Sequence, residues 1–420
     1  MKRYGSFIDG ESRESGELVE IRDPQGSQPA YEAWVGGERE VGEATAAAAR
    51  AFRETSQLSR AARSQMLGRA AATIERGAED LAETVRIEAG KPIALARWEV
   101  ARCLNTFTLA AEEAKRFTGE LIPADILPRY EGYRSLYERF PLGPILGITP
   151  FNFPSNLVAH KIAPALAAGN SVVVKPAPQT PLSALKLAEI VQGAGAPRGA
   201  VNVVPCSNER AGGMVRDERF KMLSFTGGAR TGWQLKSAAG KKKVTLELGG
   251  NAGLIVCADV DLRAAAKKAA FGGFAYAGQA CISVQRILVE RRGYDEFLQG
   301  LLDETKALGV GDTADPRTVV GPMINGETAD RVMAWVDEAI ARVNDSPYGL
   351  QAGVFTHDQR RIERAFRGLE VGAVLINETS YFRIDNYPYG GVKDSGFGRE
   401  GVRYAMESMT EPKVLVIASA

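Results

Sequence analysis

The residues best suited to chemistry in this 420-residue chain are a carboxylate and a thiol on one stretch, Glu247 and Cys281. Glu247 stands between apolar residues and a Gly-Gly pair, and Cys281 follows the small-residue run Gly278-Gln279-Ala280. A thiol must lose its proton before it attacks. A partly desolvated carboxylate with a raised pKa is suited to accept that proton, or one from water. The pair therefore reads as nucleophile and general base. Taken alone, the same residues also fit a strand-end charge and a small buried apolar side chain.

The elements that must position them come next. From Pro141 onward the chain alternates short β-branched runs with amphipathic stretches: GPILGITP, then PSNLVAHKIAPALAAG, NSVVVKPA, TPLSALKLAEIVQGAG, AVNVVP and KMLSFTGG. That alternation predicts a parallel sheet wound in the Rossmann manner, with a nucleotide at the carboxyl ends of the strands. The turn Thr226-Gly227-Gly228-Ala229-Arg230-Thr231-Gly232 offers backbone N–H groups at a helix N-terminus to a pyrophosphate, although its spacing is not GxGxxG and also suits a plain tight turn. Residues 1–40 read as hairpin strands, and Val41 to about Thr118 as Ala-rich outer helices broken at Gly90-Lys91-Pro92. Tyr133 to Arg139 reads as a projecting strand, and the apolar tail EPKVLVIAS as a strand that must find a partner, within the chain or on a neighbouring subunit.

Composition narrows the function classes. With 52 basic against 51 acidic residues, and no basic run longer than Lys241-Lys242-Lys243, charge gives no case for nucleic acid or a membrane surface. Four scattered cysteines and two histidines, His160 and His357, give no zinc spacing, so no metal is expected. No apolar run has signal-peptide or membrane-spanning length, and a reducing cytoplasm is the expected location. The length suggests more than one domain.

Six pieces then coincide in order: Pro150-Phe151-Asn152-Phe153-Pro154, Val174-Lys175-Pro176-Ala177, Phe225-Thr226-Gly227-Gly228, Glu247-Leu248-Gly249-Gly250, Gly278-Gln279-Ala280-Cys281 and Pro388-Tyr389-Gly390-Gly391-Val392-Lys393-Asp394-Ser395-Gly396. The sequence resembles the NAD(P)-dependent aldehyde dehydrogenase superfamily from about residue 5 to the end, and its texture is most similar to the lactaldehyde and glyceraldehyde branch. The resemblance implies an α/β fold with a cofactor domain (1–117 and 140–247), a catalytic domain (248–400) and a small β oligomerisation arm (118–139 and 401–420). It implies oxidation of a small polar aldehyde such as lactaldehyde, glyceraldehyde or glycolaldehyde to the acid, by a homodimer or homotetramer using NAD or NADP.

Carried over residue by residue, Cys281 would form the thiohemiacetal and thioester, Glu247 would activate the hydrolytic water, and Asn152 would bind the developing oxyanion. Thr149, Pro150, Lys175, Pro178, Thr226, Gly227, Gly228, Gly232 and Leu248 would contact the cofactor. Pro178 stands where many NAD-preferring relatives carry a glutamate, which leaves NADP open, and Gly228 replaces the serine of the FTGS form. Asn152, Asn156 and His160, spaced i, i+4, i+8, are expected on one helix face with His160 lining the aldehyde tunnel. Arg383 and Tyr381 would meet a polar or anionic substrate group, and Arg286 is a further basic candidate. A family segment carrying Glu-x-Phe-Gly-Pro has no counterpart between Arg342 and Val343, which makes the chain roughly fifty residues shorter. If it is truly deleted, the nicotinamide ribose loses an anchor. Two alternatives therefore stand beside the dehydrogenase: a catalytically impaired binding or scaffold protein, and a CoA-acylating enzyme, against which Glu247 argues.

Overall fold

Five short runs, Ile145–Ile148, Val172–Lys175, Val201–Val203, Met222–Thr226 and Lys243–Glu247, pair in parallel in a computed structural model that describes residues 1–26, 29–329 and 346–418. Numbered along the chain, they lie in the order 3-2-1-4-5, so the winding reverses between the first and fourth strands. Both faces are covered. Val172, Val173 and Val174 have no exposed surface, and burial of each side chain contributes about 2 kcal/mol. Helices Arg60–Arg76, Ile93–Arg116, Asn156–Ala168 and Leu182–Gly193 fill one face, and helices Glu38–Thr55, Asn208–Arg216 and Ala229–Ala238 the other.

Antiparallel strands close the sheet at both ends. Ser6–Ile8 and Glu11–Arg13 extend one edge, and Gly396–Phe397 pairs with Lys243–Glu247 at the other. Residues 396–397, which fall in the expected catalytic domain, therefore belong to the cofactor sheet. Likewise the Val402–Ser408 helix packs on the Asn156–Ala168 helix of the cofactor unit instead of joining the arm. A second parallel sheet, in the order Val284–Val289, Ala252–Val256, Gln351–Phe355, Ala373–Ile376, carries the Cys281 half of the site. The tail strand Thr410–Ile417 pairs antiparallel with Arg134–Pro141 of its own chain, which in turn pairs with Glu120–Ile122. The junction at Arg342 and Val343 lies outside the described residues.

Candidate active site

A Rossmann-type sheet opens a crevice where its strand order reverses. Thr149 to Asn152 follow the first strand here, Thr226 to Gly228 end the fourth, and Glu247 ends the fifth. Cys281 arrives from the opposite unit. The residues before it, Tyr276, Ala277 and Gly278, have φ of 54°, 53° and 69°, a left-handed turn that is costly for the first two and is held by tertiary bonds. Tyr276 Oη donates to the Ala89 carbonyl at 2.8 Å, and Gln279 Oε1 accepts from Ile324 N–H at 2.9 Å. Asn152, Glu247, Cys281, Arg383 and Tyr389 then line one cavity, with Arg102 at its wall.

Asn152 reaches this cavity differently from the sequence expectation. The helix begins only at Asn156, after bends at 151–153, so Asn152 is not on the face of Asn156 and His160. Pro154 disfavours helical geometry in Phe153 before it, and the buried helix start is capped from elsewhere. Glu99 accepts from the Ser155 and Asn156 N–H groups at 2.8 and 3.1 Å. Glu99 also holds Lys91, whose ammonium donates to the Asn152 carbonyl at 2.5 Å and lies 3.7 Å from the Phe153 ring centroid. The Asn152 amide donates to the Gln279 carbonyl at 2.9 Å, which ties the two halves of the site together.

The two candidate reacting groups are both pushed towards their neutral forms. Burial raises the Glu247 carboxyl well above its ordinary range, the nearby charge of Glu400 raises it further, and among the described residues neither of its oxygens has a hydrogen-bond partner. Gly390 makes room for it, since a Cβ there would stand 3.0 Å from Glu247 Oε1. Burial also pushes the Cys281 thiol up, opposed by a hydrogen bond from Tyr389 and by the charge of Arg383.

Around them lies a set of buried ions that the sequence reading missed. Glu400 accepts from Lys161 at 2.5 Å and from Arg383 Nη2 at 3.0 Å, and the two cations hold it well below the carboxylate range despite its burial. Lys161 also donates to Thr226 Oγ1 at 2.8 Å. Arg102 makes a two-pronged bridge to Asp385, at 3.2 and 2.6 Å. His160 is placed behind the cavity instead of in it, with Nε2 3.0 Å from Asp385 and burial lowering its pKa. Tyr381 likewise does not line the cavity but packs edge-on against Phe271. Arg286 donates to the Asn251 carbonyl at 3.1 Å and is not among the lining residues. Arg383 does line the cavity, and its buried Nε–H has no acceptor among the described residues.

The nucleotide side fits the residues named for it. Gly228 caps the Ala229–Ala238 helix, and a Cβ there would meet nothing within 4 Å, which leaves the turn open to a ligand. A Cβ on Gly232 would approach Leu248 Cδ2 to 2.4 Å, so glycine is required for that helix to pack against the Glu247 loop. Thr149 Oγ1 is buried without a partner among the described residues, and Lys175 donates to Asn208 at 3.0 Å while burial lowers its pKa. Pro178 lies exposed in the loop after Lys175 and brings no carboxylate.

A 3-2-1-4-5 sheet facing a second parallel sheet across this cleft is the arrangement of a nucleotide-dependent α/β enzyme. The model of the Aldehyde dehydrogenase family matches residues 10–341 and 335–415, and the chain belongs to that family of NAD(P)-dependent oxidoreductases acting on aldehydes. The chain is 39% identical over 471 residues to a 3-sulfolactaldehyde dehydrogenase of Priestia aryabhattai, covering 99% of this chain and 98% of the relative. It superimposes on aldehyde dehydrogenase 21 of Physcomitrella patens in complex with the reaction product succinate, with a TM-score of 0.95, 36% identity and coverage of 99% and 98%. The glyceraldehyde-3-phosphate dehydrogenase of Methanocaldococcus jannaschii complexed with NADP gives 0.92, 34%, and coverage of 97% and 100%. The similarity to these and to lactaldehyde dehydrogenases of Methanococcus maripaludis supports the lactaldehyde and glyceraldehyde branch. The alignment to the Priestia relative is longer than this chain, and the family model matches in two stretches that meet at 335–341. That overlap lies just before the Arg342–Val343 junction.

Proposed function

We propose that the chain oxidises a small aldehyde with an anionic or strongly polar tail to its carboxylic acid, with Cys281 as nucleophile and Glu247 as the base for hydrolysis. The observation that carries this reading is one cavity lined by a thiol, an unpartnered buried carboxylate and a buried arginine with a free N–H, Arg383. The ionised Cys281 sulfur attacks the aldehyde carbon, and charge moves onto the oxygen, where the Asn152 amide and the Cys281 backbone N–H stabilise it. When bound, the oxidised nicotinamide supplies the hydride acceptor that converts the thiohemiacetal to a thioester. Glu247 then takes a proton from water, the resulting hydroxide adds to the thioester carbon, and the C–S bond breaks with its electron pair returning to sulfur. Lys175, Thr149, Pro150, the 226–228 turn, Gly232 and Leu248 would hold the nucleotide, and Pro178 leaves NADP as acceptable as NAD.

The tail of the substrate belongs at Arg383, with Arg102 beside it. The names of the relatives point the same way: sulfolactaldehyde, glyceraldehyde 3-phosphate and bound succinate all carry an anion. The exposed apolar residues of the arm, Leu121, Val414, Leu415 and Val416, suit pairing with a second copy of the chain. NAD(P)H production with sulfolactaldehyde, glyceraldehyde 3-phosphate and lactaldehyde tests the reading. We expect the anionic aldehydes to exceed lactaldehyde in kcat/KM by about tenfold or more, and Arg383→Leu to erase that preference. Equal kcat/KM for the three would overturn the anionic tail. Nucleotide binding without any Cys281-dependent turnover would instead assign a binding or scaffold role to the shortened chain.

A further inference from the structure

Cys281 Sγ lies 3.2 Å from the hydroxyl of Tyr389, a residue of the Pro-Tyr-Gly-Gly motif that has no part in the mechanism above. Either atom can donate while the thiol is neutral, but once sulfur is ionised only the phenol has a proton to give. We infer that Tyr389 donates a hydrogen bond to the Cys281 thiolate, holding the sulfur in its attacking position and stabilising it both before attack and as the leaving group of hydrolysis. This role rests on Cys281 being the nucleophile.

Three observations support it independently of any titration. First, Tyr389 is 2% exposed and lines the same cavity as the thiol, so packing around the ring holds its hydroxyl against the sulfur. Second, its backbone is pinned. Glu400 N–H donates to the Tyr389 carbonyl at 2.7 Å, and Tyr389 N–H donates back to the Glu400 carbonyl at 3.1 Å, so the phenol is fixed to the residue that anchors Lys161 and Arg383. Third, the Arg383 guanidinium carbon lies 3.6 Å from the centroid of the Tyr389 ring. A cation on the π face draws electron density from the phenol and makes its O–H a stronger donor. Arg383 is thereby shared between the substrate tail and the nucleophile's partner.

The groups facing the sulfur have opposing effects. Glu247 and Glu400 disfavour a second negative charge, Arg383 favours it, and the neutral Tyr387 and Tyr381 stand further out. Burial and both carboxylates resist ionisation, so a single donated hydrogen bond carries much of the compensation. In attack, the sulfur lone pair forms the C–S bond and the phenol keeps its proton. In hydrolysis the C–S electrons return to sulfur and the same O–H donates to it again.

Tyr389→Phe keeps the ring and its stack on Arg383 and removes only the hydroxyl. The measurement is the rate of Cys281 alkylation by iodoacetamide against pH, read from the mass of the Cys281 peptide, in protein without aldehyde or nucleotide. We expect the midpoint to rise by about one pH unit, an approximately tenfold slower reaction at neutral pH, with the same limiting rate at high pH. A profile that superimposes on the wild type overturns the proposal, and a merely structural role would lower the plateau without moving the midpoint. Should the Phe variant fail to fold, 3-fluorotyrosine at 389, a more acidic phenol, should move the midpoint down, and no movement overturns the idea. Because no turnover is required, failure here is separable from failure of the dehydrogenase reading.

Discussion

Glu247 and Glu400 are two buried carboxylates within electrostatic reach of one another, and their surroundings send them in opposite directions. Glu400 receives Lys161 and Arg383 and is held ionised. Glu247 receives no hydrogen bond, and its pKa is pushed well above the ordinary range, first by burial and then by Glu400. A paired carboxylate is a poor base, because taking a proton means giving up its cations. An unpaired one gains by taking a proton. The contrast separates anchor from base in a way that residue type alone cannot, and each variant below either erases or sharpens it.

The largest effect is expected from Glu247→Gln. Without a base for water, steady-state turnover should fall about a thousandfold while the first turnover survives as a burst of NAD(P)H. In the wild type, kcat should fall as acid protonates Glu247, with an apparent pKa above the usual carboxylate value. Rapid-mixing absorbance across pH checks both points, and an unchanged steady-state rate would sink the assignment.

Lys161→Met removes one cation from Glu400 and leaves a buried charge short of a partner. Lys161 has no exposed surface, so solvent cannot compensate, and a loss of about 3 kcal/mol in unfolding free energy is expected from denaturant titration. If the loss stays below about 1 kcal/mol, Glu400 is not the anchor described here. The variant should also blur the contrast, because a proton shared between the two carboxylates would broaden the acid limb of the rate profile.

The ends of this contrast differed in how far they could be read from sequence. Glu247 and Cys281 were legible because a lone carboxylate and a lone thiol beside glycine turns are chemically conspicuous, and Asn152 through its motif. The parallel sheet was legible as an alternation of strand and helix, but its 3-2-1-4-5 order was not, because alternation does not say which strands pair. What escaped was everything that depends on partners far apart in the chain. Glu99 and Arg102 lie on a helix that reads as an outer one, yet Glu99 caps residues 155–156 and Arg102 meets Asp385, 283 positions away. Asn156 lines the cavity, but His160, one turn further along the same helix, is held behind it by Asp385, a partner 225 positions away. Lys161, the next residue, reaches Glu400 and Thr226. Tyr389 sat inside a recognised motif, but nothing in its spacing from Cys281 indicates that a phenol would meet the sulfur.

The smallest expected effect sharpens the comparison most, because it concerns stability and not rate. A carboxyl whose folded pKa is raised favours the folded state in its protonated form. Its contribution is fully present below the unfolded value, near 4.5, and is lost as pH rises through the folded value. Once the pH passes that folded value, wild-type Glu247 is a buried, unpartnered anion, which the fold retains for its chemistry at a cost in stability. Glutamine is neutral at every pH and nearly the same shape. Glu247→Gln should accordingly raise the melting temperature by about 2 °C on the alkaline side of the folded value, with the gain shrinking towards zero near pH 4.5. Glu400→Gln should do the reverse at pH 8, because it deprives Lys161 and Arg383 of their shared counter-ion. Opposite signs for two glutamate-to-glutamine changes in one cavity, read by calorimetry across pH, are what a separated base and anchor require; the same sign for both would mean that the two carboxylates act as one titrating pair.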